Sequence, residues 1–149
     1  MIYVSQYLDP SRVLFLEEKD KKKALNTLIE CVGASPHITD LKKFGKAVFE
    51  REQIMSTGIG LGIAIPHVKI KEVRDITIGI GVSKQGIPWD ALDNNPVHII
   101  FMIAGSSEQH QLYLRILSKI ILVLKKNERR EEILNANNAQ DILNIFKNL

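Results

Sequence analysis

The residues best placed to do chemistry lie in the stretch Ser56-Thr57-Gly58-Ile59-Gly60-Leu61-Gly62-Ile63-Ala64-Ile65-Pro66-His67. Three glycines in five residues make a loop that reaches backbone conformations closed to other residues and can turn its N–H groups toward an anion. The apolar run Ile63 to Ile65 reads as a buried strand, and Pro66 is expected to stop it. His67 follows at once, beside a residue of fixed φ. An imidazole displayed at a strand end, next to an anion-binding backbone, is suited to carry a phosphoryl group.

A neutral imidazole can attack phosphorus if one ring nitrogen keeps its lone pair while the other donates a hydrogen bond that sets the tautomer. Phosphoryl transfer otherwise needs positioning and donors for the equatorial oxygens. Arg51 offers a planar fork of donors, and the loop Ser56, Thr57, Gly58, Gly60 and Gly62 offers backbone N–H groups. His110 offers one more N–H. It falls in the first turn of a helical pattern just after an apolar strand, at the end of the sheet where open α/β folds bind ligands. If the strands leading to His67 and His110 are parallel neighbours, the two imidazoles meet at one mouth. The other two histidines read as bystanders: His37 follows Pro36 in a loop, and His98 lies inside the apolar strand.

Other chemistries fit less well. No zinc-type spacing links the histidines to the single Cys31, which reads as a small residue beside an apolar helix stripe. Gly58-x-Gly60-x-Gly62 fails the dinucleotide pattern because Ile63 fills its last place, and Gly81 and Gly86 lack the lysine of a phosphate loop, Ile87 standing there instead. No nucleophile-elbow motif is present. Neither a metal nor a cofactor is expected.

The elements that must position these residues alternate between helix and strand. Asp20 can cap a helix carrying Ala24, Leu25, Leu28, Ile29 and Val32, with Gly33 closing it. Thr39 can cap a second helix with Leu41, Phe44 and Val48 inward, running out near Arg51 and Glu52. Asp75 to Val82 alternates Ile76, Ile78, Ile80 and Val82 with Thr77, Gly79 and Gly81, the pattern of a half-buried strand. Turns surround Trp89, and Val97 to Ala104 reads as a central strand covered on both faces. Ser107 can cap a long helix from Glu108 to about Lys126, with Leu112, Ile116, Leu117, Ile120 and Leu124 buried. Two shorter helices follow, around Arg130 to Leu134 and after a cap at Asn138. The expected fold is α/β: a single layered domain over residues 1–149, with a mixed, mostly parallel β-sheet flanked by helices.

Composition agrees with a globular domain. Of 149 residues, 45% are apolar and 25% charged, enough to build one core. The net charge of +3 has both signs interspersed, and Lys21-Lys22-Lys23 begins a helical pattern, so no nucleic-acid partner is expected. The longest apolar run, Ile99 to Ala104, is too short to span a bilayer, and no signal peptide follows Met1. With its lone cysteine, the chain is expected to be cytoplasmic.

From Glu52 through His67 the chain resembles the phosphohistidine signature of the type-2 (fructose/mannitol) enzyme IIA domains of the bacterial phosphoenolpyruvate-dependent phosphotransferase system. That signature runs from an acidic or amide residue through an aliphatic and a small residue to aliphatic-Ala-aliphatic-Pro-His. Glu52, Ile59, Gly60, Ile63, Ala64, Ile65, Pro66 and His67 fill its places in register. Arg51 stands where the family has its active-site arginine, and His110, leading into Gln111-Leu112, looks like its second active-site histidine. The resemblance implies that His67 accepts a phosphoryl group from the phosphorylated carrier HPr. It then passes the group to a cysteine of an enzyme IIB domain, or uses it as a regulatory switch; the wording of the loop is closer to the nitrogen-regulatory branch. A protein-binding module switched by His67 phosphorylation, with little onward transfer, is the alternative. Two positions depart from the pattern. Val68 replaces the small residue usual after the histidine, where a β-branched side chain is expected to crowd a partner or shift the loop. Gly105 stands where a proline is common.

Overall fold

The apolar run Val97–Ser106 forms β6, buried along its length except at half-buried His98, and three other strands, including the one that begins at His67, pair with it. The computed structural model describes residues 2–149. In chain order the elements are β1 (Val13–Phe15), α1 (Lys21–Gly33), α2 (Leu41–Ile54), β2 (Gly58–Gly60), β3 (Ile63–Ala64) and β4 (His67–Ile70). After them come β5 (Thr77–Ile87), β6, α3 (His110–Leu124), α4 (Asn127–Asn135) and α5 (Ala139–Ile145), with two short 3-10 turns before β1. The six strands form one sheet in the order β1-β5-β6-β3-β2, and β4 also pairs with β6. β1 runs parallel to β5, and β3 and β4 run parallel to β6; β2 is antiparallel to β3, and β5 to β6. This is the mixed, mostly parallel sheet expected.

Helices cover both faces. Residues of β6 alternate between two cores: Ile99, Phe101 and Ile103 pack with Ile116, Ile120, Ile133 and Phe146 from α3 to the C-terminal end, while Ile100, Met102 and Ala104 pack with Leu25, Leu28, Phe44 and Val48 from α1 and α2. Full burial of each such side chain contributes about 1.5–3 kcal/mol. Among the described residues no helix is long and apolar enough to cross a membrane.

Several local expectations are corrected. Pro66 interrupts its strand rather than ending it. It has no N–H to give to a ladder, but its carbonyl accepts from Ile103 N at 2.9 Å, and pairing with β6 resumes at His67. β5 is not half-buried. Thr77, Ile78, Gly79, Ile80, Gly81 and Val82 are all buried, because α1 lies so close that a Cβ on Gly79 would collide with Val32 and one on Gly81 would press on Leu28, as well as on Leu16 before the helix. The alternation of glycine with isoleucine records close packing, not a wet face.

Asp20 and Asn138 cap α1 and α5 as expected, each accepting from a backbone N–H three residues on. Asp40 rather than Thr39 caps α2, and the Thr39 hydroxyl donates to Glu72 O. Gly33 is the last residue of α1, with Ala34 at the cap. α3 starts at His110 without a side-chain cap, and Ser106 Oγ, not Ser107, accepts from Glu108 N.

Glu52 is buried. It pairs with Lys21 Nζ at 2.7 Å and accepts from Thr57 N, while Lys21 also donates to Trp89 O. This carboxylate joins α1, the end of α2 and the approach to β2. Breaking a fully buried pair costs about 3–5 kcal/mol, and less here because 23% of the Lys21 side chain remains exposed. It sits one residue from Arg51, so it fixes the helix end from which that guanidinium projects.

Candidate functional site

β4 brings the first two functional side chains to one face. Along a strand, residues two apart share a side, so His67 and Lys69 face one way and Val68 and Ile70 the other. Val68 and Ile70 pack with the core under α1 and α2. His67 faces α3, with its ring centroid 6.4 Å from that of Tyr113 and the rings inclined by 43°. β4 is bonded only to β6, and a cavity of about 380 Å³ opens along its other side. Arg51 and Ile54 of α2 line that cavity with His67, Lys69 and Tyr113.

His67 Nδ1 lies 2.5 Å from Ile65 O. A carbonyl oxygen can only accept, so Nδ1 carries the proton and donates, and Nε2 keeps the lone pair. This is the nucleophilic tautomer, set by backbone two residues upstream. Arg51 projects from the last turn of α2 and spends one N–H on Met55 O at 2.9 Å, which orients the guanidinium and leaves most of its donors unused.

His110 is exposed at the start of α3, and its Nδ1 contacts Lys69 Nζ. An ammonium has no acceptor, so Lys69 donates and His110 Nδ1 accepts, which puts the His110 proton on Nε2. The parallel pairing of β4 with β6 brings both imidazoles to one end of the sheet, as the sequence suggested. They do not share one cavity: His110 lines a neighbouring one with Gln109 and Arg115, and Lys69 links the two.

The glycine loop goes elsewhere. Ser56, Thr57, Gly58, Gly60 and Gly62 belong to the β2–β3 hairpin, and none lines the His67 cavity. Its turn end, Gly60 to Gly62, meets Ile63, which pairs with Ile99, four positions before Ile103, the partner of His67, and at ~3.3 Å per residue that is about 13 Å along the strand. Its near end stays closer, since Gly58 pairs with Ala64 and Thr57 O accepts from Ile65 N at 3.0 Å. The loop's amides are engaged inside the protein: Thr57 N donates to Glu52, Gly58 N to Ser56 Oγ and Leu61 N to Asp93 Oδ2. Positive φ at Gly60, Leu61 and Gly62 makes the tight turn. These glycines shape a hairpin that leads into β3 rather than an anion cradle beside His67.

The remaining candidates fall out simply. His98 Nδ1 lies 2.8 Å from Ser83 O within the sheet, and His37 is exposed in its loop. Burial pushes the Cys31 thiol up, against the pull of Arg12. Among the described residues no group of three or more His, Cys, Asp or Glu could hold a metal ion. Val68 packs with the core under α1 and α2 and also lines the His67 cavity.

Sequence reasoning missed Lys69 and Tyr113. Their signal was spacing: Lys69 is two residues from His67 on a strand, and Tyr113 is three from His110 on a helix, so each shares a face with a named histidine. Tyr113, rather than Leu112, begins the buried stripe of α3. Burial raises its phenol from the ordinary 10 to about 12, against a lowering pull from Arg51. The folded state therefore holds a proton that the unfolded chain releases near pH 10, and stability falls as pH rises between these values. At about 1.36 kcal/mol per unit the loss amounts to roughly 2–3 kcal/mol. Denaturant melts from pH 9 to 12 are expected to show a smaller alkaline loss in Y113F; equal losses in both proteins would contradict this.

Comparison with known proteins places this geometry. A family model described as "Phosphoenolpyruvate-dependent sugar phosphotransferase system, EIIA 2" matches residues 6–149. The chain is 31% identical over 141 residues to the "PTS system fructose-specific EIIA component" of Haloferax volcanii, covering 93% of this chain and 92% of that protein. It is 33% identical over 133 residues, 89% of its length, to the "PTS system fructose-specific EIIABC component" of Bacillus subtilis, of which it spans only 21%. Its fold matches the crystal structure of "Nitrogen Regulatory Protein IIA-Ntr" from Neisseria meningitidis with a TM-score of 0.90 at 24% identity, covering 96% of this chain and 98% of the other.

Proposed function

The chain belongs to the EIIA 2 family of the phosphoenolpyruvate-dependent sugar phosphotransferase system, and from that premise we propose that it is a phosphocarrier whose acceptor atom is His67 Nε2. The observation that carries this reading is the bond from His67 Nδ1 to Ile65 O, which leaves the lone pair on the nitrogen that can attack.

The donor is phosphorylated HPr. The His67 Nε2 lone pair forms a bond to phosphorus as the donor's P–N bond breaks, and that electron pair returns to the donor imidazole. Arg51 neutralises charge on the peripheral oxygens, and the Lys69 ammonium adds to the field at the same cavity. His110, in the neighbouring cavity, acts through Lys69, which it positions beside the group during transfer. The onward recipient is an enzyme IIB cysteine, a reading supported by the B. subtilis relative, whose name joins A, B and C components in one protein.

A regulatory role is the second reading, supported by sequence relatives named "Nitrogen regulatory protein", 35% identical over 103 residues. Exposed Ile54 and Met55 flank Arg51 at the end of α2. A phosphoryl group bringing ~1.5–2 negative charges beside that apolar rim would change which partner it accepts.

Incubation with radiolabelled phosphoenolpyruvate, enzyme I and HPr is expected to label the protein with an acid-labile, base-stable adduct. Label that then chases onto an added IIB domain supports carriage, and label that stays supports the regulatory reading. Failure to take any label would defeat both.

A further inference from the structure

Two pairs of residues cross at the open edge of β4. The strand presents His67 and Lys69 on one face, and the first turn of α3 presents His110 and Tyr113, three residues apart, toward it. Lys69 meets His110, and the Tyr113 ring lies over His67. The first contact sets a tautomer. The second has no evident purpose in the unphosphorylated protein.

We propose that the Tyr113 hydroxyl is a phosphoryl-binding group, donating a hydrogen bond to a peripheral oxygen of the phosphoryl group carried on His67. This inference rests on the reading of His67 as acceptor and adds to it a contact that Arg51 and His110 do not supply.

Three observations lead to it. Tyr113 is only 6% exposed yet lines the His67 cavity. Its ring is held in the wall while its hydroxyl makes no hydrogen bond to any described residue, and that oxygen is not among the enclosed polar atoms left without a partner. The charge of Arg51, which lines the same cavity, reaches the phenol, so an anion drawn to Arg51 beside His67 comes within the surroundings of a hydroxyl that is free to donate.

Gly105 supplies the third observation. A Cβ at Gly105 would collide with Cδ1 and Cε1 of the Tyr113 ring. Gly105 pairs with Lys69 across the β4–β6 ladder, so the ring sits on the strand directly beside the site. The glycine that departs from the family's usual proline therefore makes room for the ring of Tyr113. The phenol keeps its proton throughout, since burial holds its titration near 12, so it serves as a neutral donor rather than an acid or base.

Tyr113→Phe removes the hydroxyl and keeps the ring on Gly105. Phosphoramidate serves as the probe because it needs no protein donor: His67 Nε2 bonds to phosphorus, the P–N bond of the reagent breaks, and its nitrogen takes a proton and leaves as ammonia. Wild type, Y113F and H67A are compared for rate of uptake by phosphorus NMR. Carbon NMR of protein labelled at tyrosine Cζ is recorded before and after phosphorylation, with Y113F identifying the resonance.

The expected result is about tenfold to a hundredfold slower uptake in Y113F, the loss associated with one hydrogen bond to a charged oxygen. The Tyr113 Cζ signal of the wild type is expected to move on phosphorylation while Tyr3 and Tyr7 stay in place. Uptake within twofold of wild type together with a stationary Cζ signal would overturn the Tyr113 proposal and leave His67 as acceptor. Equal uptake by wild type and H67A would overturn the reading of His67 itself. Should Y113F fold poorly, solvent exchange of the Tyr113 hydroxyl proton in the wild type decides alone: a hydrogen bond to the phosphoryl group slows that exchange on phosphorylation, and exchange left unchanged would overturn the proposal.

Discussion

Replacing His67 with alanine is expected to reduce phosphoryl labelling from phosphorylated HPr to background while the protein stays folded. The loss of acid-labile, base-stable label is total rather than partial, because Glu50, the carboxylate that also lines the cavity, would give a base-labile acyl phosphate and the other groups cannot take over. Lys69 is a cation with no lone pair, Tyr113 holds its proton to about pH 12, and His110 has its Nδ1 lone pair engaged by Lys69 and lines a different cavity. The half-buried imidazole begins β4, and its one protein hydrogen bond is to Ile65 O. Removing that bond costs about 1 kcal/mol, so a thermal melt separates loss of the acceptor from loss of the fold. H67Q is a useful companion, since it keeps a polar side chain of similar length without a nucleophilic nitrogen. Label retained on the folded alanine variant would move the acceptor elsewhere.

Arg51→Ala is expected to have the next largest effect, slowing phosphoryl uptake by about a hundredfold to a thousandfold, as for removal of a donor aimed at transition-state charge. The guanidinium keeps most of its donors free after its bond to Met55 O, and it lines the cavity that His67 faces. Charge alone is not its whole contribution. Arg51→Lys restores a cation without the planar fork and is expected to recover only part of the rate. Stability should change little, because the one hydrogen bond lost sits at an exposed helix end. Single-turnover uptake from phosphorylated HPr measures the effect; a rate within threefold of wild type in R51A would remove Arg51 from the site. Glu52 offers a contrast: it is the buried neighbour whose replacement would disturb the helix end that aims Arg51.

The layered architecture was legible because it depends on local pattern. The unbroken apolar run of β6, the 3.6-residue stripes of α1 and α3, and the caps at Asp20 and Asn138 are each written in neighbouring residues. His67, Arg51 and His110 were legible as chemistry because their residue types and the signature around His67 are distinctive. The errors came where one local pattern serves two physical ends. Glycines at alternate positions suit an anion-binding loop or a tight hairpin, and at β2–β3 they make the hairpin. Glycines alternating with isoleucines suit a solvent face or a helix packed very close, and in β5 they admit α1.

Sequence alone determined the fold class and singled out His67 and Arg51 for the proposed chemistry, since helix and strand periods, caps and a motif in register act over a few residues. What surrounds the nucleophile was decided only by the tertiary structure. Parallel pairing of β4 and β6 set the end of the sheet at which His67 stands. The crossing of α3 over that end chose Lys69 and Tyr113 as neighbours, and the pairing of β2 with β3 carried the turn of the glycine loop about 13 Å away along the strand. The reason is that a hydrogen-bonded register joins residues dozens of positions apart, and which side chains share a cavity depends on that register, not on how close they lie along the chain.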